Sequence, residues 1–140
     1  MRKLSLAGKI SVVKFLVIPK FVYLFSNISN PPKKFFDELQ SKLFRFIWSN
    51  KKDRIKRRLS VLYNELADGG LNMIHVESFC RALKIAWVKR VLDKENKGNW
   101  KTMFCLNTKE IGGEYIFMCN FKANDMNIKI NNFWRDVLFS

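Results

Sequence analysis

The sequence predicts a mainly α protein: a small bundle of about five helices, with a basic loop and one stretch patterned as a short strand or hairpin. Two observations predict it. Apolar residues recur at helical spacing through successive segments, and the pairs Pro31–Pro32 and Gly69–Gly70 fall between those segments as punctuation. Apolar residues make up 48% of the 140 and aromatics 14%, 13 of them Phe, so the chain can bury a core and is not a disordered tail. That length corresponds to one domain or a piece of one.

Ser5 to Phe15 fits a helix, because Leu6, Ile10, Val13 and Val17 recur on one stripe while Lys9, Ser11 and Lys14 lie elsewhere. Pro19 lacks an N–H and crowds the turn before it, so it should kink or restart that helix. Lys20 to Phe25 is nearly all apolar and is expected to be largely buried. Asn30 before Pro31–Pro32 reads as a helix start with prolines in the first turn, where no intrahelical donor is lost. Phe36, Leu39, Leu43, Phe46 and Ile47 then form an apolar stripe running to Trp48, with Lys33, Lys34, Lys42 and Arg45 on the other faces.

Leu59 to Leu66 is ambiguous, since the alternation of Leu59, Val61 and Tyr63 suits a short strand or extended segment. Ala67 to Gly70 is a turn. Helix returns over Val76 to Leu92, with Phe79, Leu83, Ala86, Trp87 and Val91 on one stripe. Asn96 to Asn99 breaks it, and Trp100 to Leu106 is a further short helix. Ile111 to Asn127 carries no assignable pattern. Asn132 to Phe139 begins a last helix that stops without a cap, an ending that suggests truncation.

The charge is uneven. The formal net charge is +14, and residues 1–60 hold 15 Lys/Arg against 3 Asp/Glu, whereas residues 61–140 hold 11 against 9. The densest run is Lys51 to Arg58, where Lys51, Lys52, Arg54, Lys56, Arg57 and Arg58 are cationic and only Asp53 is acidic. Such a run cannot be buried. It reads as a loop that could neutralise several phosphates, with salt-sensitive and largely sequence-independent affinity, and its arginines can clamp phosphate oxygens bidentately. A solvated charged loop and a localisation patch are the plain alternatives. Trp48 and Phe46 could stack on bases, but their helical spacing favours core packing.

Other chemistry is missing. Cys80, Cys105 and Cys119 are widely spaced, no CxxC occurs, and His75 is the only histidine, so free buried thiols in a reducing compartment fit better than a zinc site. No metal and no cofactor are expected. His75 has no nucleophile or carboxylate arranged around it and reads as structural. Neither GxxxxGK nor GxGxxG is present. Two-magnesium phosphoryl transfer needs clustered carboxylates, whereas Asp37–Glu38, Asp68, Asp93, Asp125 and Asp136 are scattered. Lys9, Lys14, Lys20 and Pro19 interrupt the N-terminal apolar stretch, which is shorter than a bilayer span or a signal segment requires. An intracellular protein of the nucleus or cytoplasm is expected, with a membrane disfavoured as partner.

Several blocks resemble LINE-type (non-LTR) retrotransposon reverse transcriptases. Leu4-Ser5-Leu6-Ala7-Gly8-Lys9-Ile10, with Val13-Lys14 and Pro19-Lys20, is similar to a stretch of the thumb region downstream of the family's catalytic palm. Phe46-Ile47-Trp48 with the basic run is similar to its "FIW..K..RI" segment, Gly69-Gly70-Leu71 to its "GGL" turn, and Ala82 to Trp87 to its "A....W" helix. Phe133-Trp134-Arg135-Asp136-Val137-Leu138 is similar to its "FW.DVL" stretch. The order and spacing of the blocks are more specific than any one of them, and the match is weakest over residues 111–127.

The resemblance implies a thumb-like helical region over 1–72, including the basic loop 49–58, and a post-thumb helical region over 73–140, truncated at its C-terminus. It implies a non-catalytic fragment, because the family's paired aspartates lie upstream of the matched region and no such motif occurs here. It implies contact with the backbone of RNA or an RNA–DNA hybrid and no small-molecule substrate. The contact residues it implies are Lys9, Lys14, Lys20, Lys51 and Arg54, and the charge density of the run adds Lys52, Lys56, Arg57 and Arg58 as candidates. A structural or interaction module that self-associates through uncovered apolar surface, or a retroelement remnant, is the alternative. Peripheral attachment to anionic membrane through the N-terminal helix is a third and weaker one.

Overall fold

The computed structural model describes residues 4–48, 59–119 and 129–140. Among these the protein is mainly α, as its sequence predicts, with seven α-helices and no strand. They are α1 (Leu6–Val12), α2 (Ile18–Asn27), α3 (Lys33–Trp48), α4 (Leu59–Tyr63), α5 (Val76–Leu92), α6 (Trp100–Thr108) and α7 (Asn132–Leu138). The chain divides into two compact units, one from Met1–Leu24 and Pro31–Cys80, the other from Phe25–Asn30 and Arg81–Ser140.

In the first unit, Ser5 caps α1 by accepting the Gly8 N–H at 3.1 Å. A π-helical turn over Val13–Val17 joins α1 to α2, its ladder closed by the Ile18 N–H on the Val13 carbonyl. Pro19 follows directly. A regular turn would drive its ring against the carbonyl of Phe15, four residues earlier, and widening the preceding turn is one way a helix accommodates that crowding. The expected kink is therefore a single-turn π bulge in a helical run from Leu6 to Asn27.

The expected burial of Lys20 to Phe25 fails. Phe25 is buried, but Tyr23 is 72% and Leu24 45% exposed, because this run packs only one side inward and carries apolar residues on the other as well. α3 begins at Lys33 rather than at Asn30, after both prolines, and the Pro32 carbonyl accepts the Phe35 N–H at 2.9 Å. Its buried residues are Phe36, Leu43, Phe44 and Ile47, whereas Phe46 is exposed. The stripe thus includes Phe44 where the periodicity favoured Phe46, since the two helical steps between them, about 200°, put them on opposite sides of the helix.

Leu59–Tyr63 is a helix, not the strand or extended segment its alternation suggested. Fully buried Leu62 anchors it, and the returning chain satisfies its last carbonyls. The N–H groups of Leu71, Asn72 and Met73 donate to the carbonyls of Val61, Asn64 and Leu62 at 2.8, 2.8 and 2.7 Å. The expected turn between them is present. Gly69 has φ +72°, and a Cβ on Gly70 would lie 2.1 Å from the Asn64 carbonyl oxygen, so neither position accepts a side chain without cost.

In the second unit, Val91, Phe104, Trp134 and Val137 form the core. Around it Trp87 meets Trp100, Phe133 and Trp134 edge-on at 5.2, 5.6 and 5.9 Å between ring centres. Truncating a buried ring such as Phe104 to alanine typically costs about 3–5 kcal/mol. Asn131 caps α7 by accepting the Phe133 N–H at 2.9 Å. A 3-10 turn over Lys109–Ile111 leads into the stretch that the sequence left unassigned, of which Gly113–Met118 is also 3-10 helix.

α5 runs over the predicted residues, Val76–Leu92, but its buried positions are Val76, Cys80, Lys84 and Val91. A lysine thus occupies a core position that the stripe of Phe79, Leu83 and Ala86 did not include. Its ammonium donates to the Ile28 carbonyl and lies 4.2 Å from the centre of the Phe133 ring. Trp87 Nε1 donates to the Ser26 carbonyl at 2.7 Å, and Asp136 accepts the Asn30 N–H at 2.6 Å. Phe25–Asn30 is thereby strapped onto α5 and α7.

Candidate nucleic-acid interface

Of the nine candidate cations, Lys51, Lys52, Arg54, Lys56, Arg57 and Arg58 lie outside the described residues. The remaining three, Lys9, Lys14 and Lys20, follow one another along the run from α1 to α2 and differ in surroundings. Lys9 is half-buried, with its ammonium 3.3 Å from the Ile47 carbonyl and 5.9 Å from the centre of the Phe46 ring. A cation beside the last carbonyls of α3 offsets the negative end of that helix dipole, so Lys9 contributes to the fold of the first unit. Lys14 is half-buried in the π turn, and Lys20 is exposed on α2.

α3 adds cations that the candidate set omitted. Lys33, Lys34, Lys42 and Arg45 are all exposed, and Lys34, Lys42 and Arg45 line one shallow face together with Asp37, Glu38 and Ser41. Helical spacing had already put these cations outside the apolar stripe. Grouping them with the run at 51–58 was the missed step, since α3 ends at Trp48, just before it.

The aromatic residues beside the run separate. Phe44 is buried and meets Tyr63 edge-on at 6.2 Å. Trp48 is half-buried, whereas Phe46 is 42% exposed. Gln40 donates to the Tyr63 hydroxyl, and burial pushes that hydroxyl up from 10.0 to about 12. Withdrawal from water is the cause, because it penalises the phenolate. Phe44 and Tyr63 therefore belong to the packing of the first unit.

His75 has a structural position. Its Nδ1 lies 2.9 Å from Ser78 Oγ and accepts the Ser78 N–H at 3.3 Å, which caps the first turn of α5. Cys80 is buried as expected, but Cys105 and Cys119 are exposed, and all three are free thiols. Among the described residues no group of three or more His, Cys, Asp or Glu side chains could hold a metal ion, and no helix is long and apolar enough to cross a membrane.

Basic residues of the second unit sit over aromatic rings. Arg90 lies 4.9 Å from the centre of the Trp87 ring, and Arg135 lies 5.9 Å from that of Phe139. Lys101 donates to the Asp93 carbonyl. These contacts engage the cations in local packing, whereas the exposed lysines and arginine of α3 project from a surface helix. No family model matches the chain, and no solved structure matches it.

Proposed function

We propose that this protein is a non-catalytic, thumb-like part of a LINE-type reverse transcriptase that binds the backbone of RNA or an RNA–DNA hybrid in the nucleus or cytoplasm. The observation that carries this reading is cation density. Lys51 to Arg58 holds six cations in eight residues, and exposed Lys33, Lys34, Lys42 and Arg45 precede it on α3. The meeting of separate sequence blocks adds support. Trp87 of one packs on Phe133 and Trp134 of another, and Asp136 of the latter holds Asn30. Such contacts supply a packing reason for those residue types to occur together at that spacing.

Binding of the full chain to an RNA–DNA hybrid across a salt series tests the proposal. Six to ten phosphate contacts lose about 10³–10⁵ in affinity between roughly 50 and 200 mM salt. Alanine at Lys51, Lys52, Arg54, Arg57 and Arg58 weakens binding to all sequences alike. A flat salt response, or affinity that survives those substitutions, sinks it.

Apolar exposure in the second unit favours an interaction module as the second reading. Met103 is 58% exposed, Leu106 65%, Tyr115 73% and Met118 77%. Size-exclusion chromatography over a concentration series decides it, since a monomer at every concentration removes self-association.

A further inference from the structure

The solvent-facing side of the run from Leu6 to Asn27 is apolar where a surface helix ordinarily carries its polar residues. Phe15 is 75% exposed, Leu16 61%, Tyr23 72% and Leu24 45%, and Pro19 and Lys20 between them are exposed as well. These positions recur every four residues and so share one face, while Val13 and Ile18 are buried on the other. Scattered exposed apolar residues are ordinary, but a contiguous row of them marks an interaction surface.

Charge selects the occupant. The first acidic residue of the chain is Asp37, so the row and its surroundings in sequence carry only cations, with Lys20 inside it and half-buried Lys14 beside Phe15. A second copy fits poorly. Two copies pairing this face about a two-fold axis near Pro19 would bring their Lys20 ammonium groups together. A nucleic-acid strand fits poorly too, because five apolar side chains accompany one cation and backbone recognition depends on cations. The face is a convex helix side rather than a groove. Bulky apolar groups, a tyrosine and a long lysine able to carry its charge back to the headgroups match the interfacial layer of a bilayer.

We infer that Phe15, Leu16, Pro19, Tyr23 and Leu24, with Lys14 and Lys20, form a docking surface for an anionic phospholipid bilayer, on which the helix lies in the plane of the headgroups. This surface shares Lys14 and Lys20 with the candidate nucleic-acid cations, but its apolar row is separate from them and the inference does not depend on nucleic-acid binding.

Vesicle co-sedimentation of the full chain tests the inference, using phosphatidylcholine vesicles with and without phosphatidylserine. Phe15→Ser combined with Tyr23→Ser leaves the buried side of the helix intact, and unchanged far-ultraviolet circular dichroism verifies the fold. The wild-type chain partitions onto phosphatidylserine-containing vesicles, and the double variant partitions about tenfold or more weakly, with unchanged binding to an RNA–DNA hybrid. Absence of vesicle binding, or equal binding to pure phosphatidylcholine, overturns the proposal. So does undiminished vesicle binding by the double variant, which would assign the attraction to the basic run alone. A matching loss of hybrid binding overturns it in favour of base stacking by the aromatic residues.

Discussion

Lys84 donates its ammonium to the carbonyl of Ile28, which lies 56 residues earlier in the chain. Lys84 is fully buried, and Phe133 covers the ammonium from one side. Its core position is thus as much an anchor for a short chain segment as a site of side-chain packing. Lys84→Ala removes stem and ammonium together and is expected to cost about 2–4 kcal/mol. Lys84→Met keeps most of the stem and should cost about 1 kcal/mol. Urea unfolding of both variants checks the difference, and equal costs would mean that the ammonium contributes little beyond its bulk.

Asp136 holds the same segment by another atom, the Asn30 N–H at 2.6 Å. Asp136→Ala removes a charged acceptor from a part-buried donor, for an expected loss of about 1.5–3 kcal/mol. Asp136→Asn retains an oxygen and should lose less. Hydrogen exchange localises the effect: faster exchange of the Asn30 amide in the alanine variant is the expected outcome, and unchanged protection there would contradict it.

Tyr63 supplies a pH dependence. Its hydroxyl is raised to about 12 in the folded protein against the ordinary 10.0. The unfolded chain therefore releases this proton at lower pH than the folded one, so the contribution is intact below pH 10.0 and is lost as pH rises toward about 12. Melting temperature should fall across that window. Tyr63→Phe should flatten the fall while lowering stability at neutral pH through loss of the Gln40 contact.

Gly69 and Gly70 should respond differently to alanine. Gly69 has φ +72° with open space where a Cβ would go, so Gly69→Ala meets only backbone strain, about 1–2 kcal/mol. Gly70→Ala sets a methyl 2.1 Å from a backbone carbonyl oxygen, which cannot swing aside as a side chain can. A cost of about 3 kcal/mol or more, or a rebuilt turn, is expected there. Thermal unfolding of the two variants ranks them, and equal midpoints would contradict the crowding at Gly70.

Helix positions were legible wherever the apolar period was strong and punctuation clear, as over Val76–Leu92 and Trp100–Thr108. The alternation of three residues, Leu59, Val61 and Tyr63, misled over Leu59–Tyr63, because tertiary anchoring through Leu62 decides so short a segment. Lys84 was illegible for another reason: a lysine belongs outside on hydropathy alone, and its burial depends on partners distant in sequence, among them the Ile28 carbonyl and the Phe133 ring. The Phe25–Asn30 strap is equally invisible to local pattern, since its partners lie in α5 and α7. Of the candidate site, the basic run stands out in the bare sequence by charge density. The engagement of Lys9 by the end of α3 was hidden, because that contact joins residues 38 positions apart.

The π turn before Pro19 has a consequence for helical register. In an unbroken α-helix, residues five apart point about 140° away from each other, yet Val13 and Ile18 are both buried. The turn absorbs one surplus residue, so periodicity followed from Leu6 selects Val17 while the fold selects Ile18. A chain shortened by one residue within the turn would keep its downstream side chains facing as they do now. It would also return Pro19 to collision with the turn before it. Shortening there is therefore compatible with a straight helix only when Pro19 is replaced as well: bulge and proline form a coupled pair, to be lost or kept together.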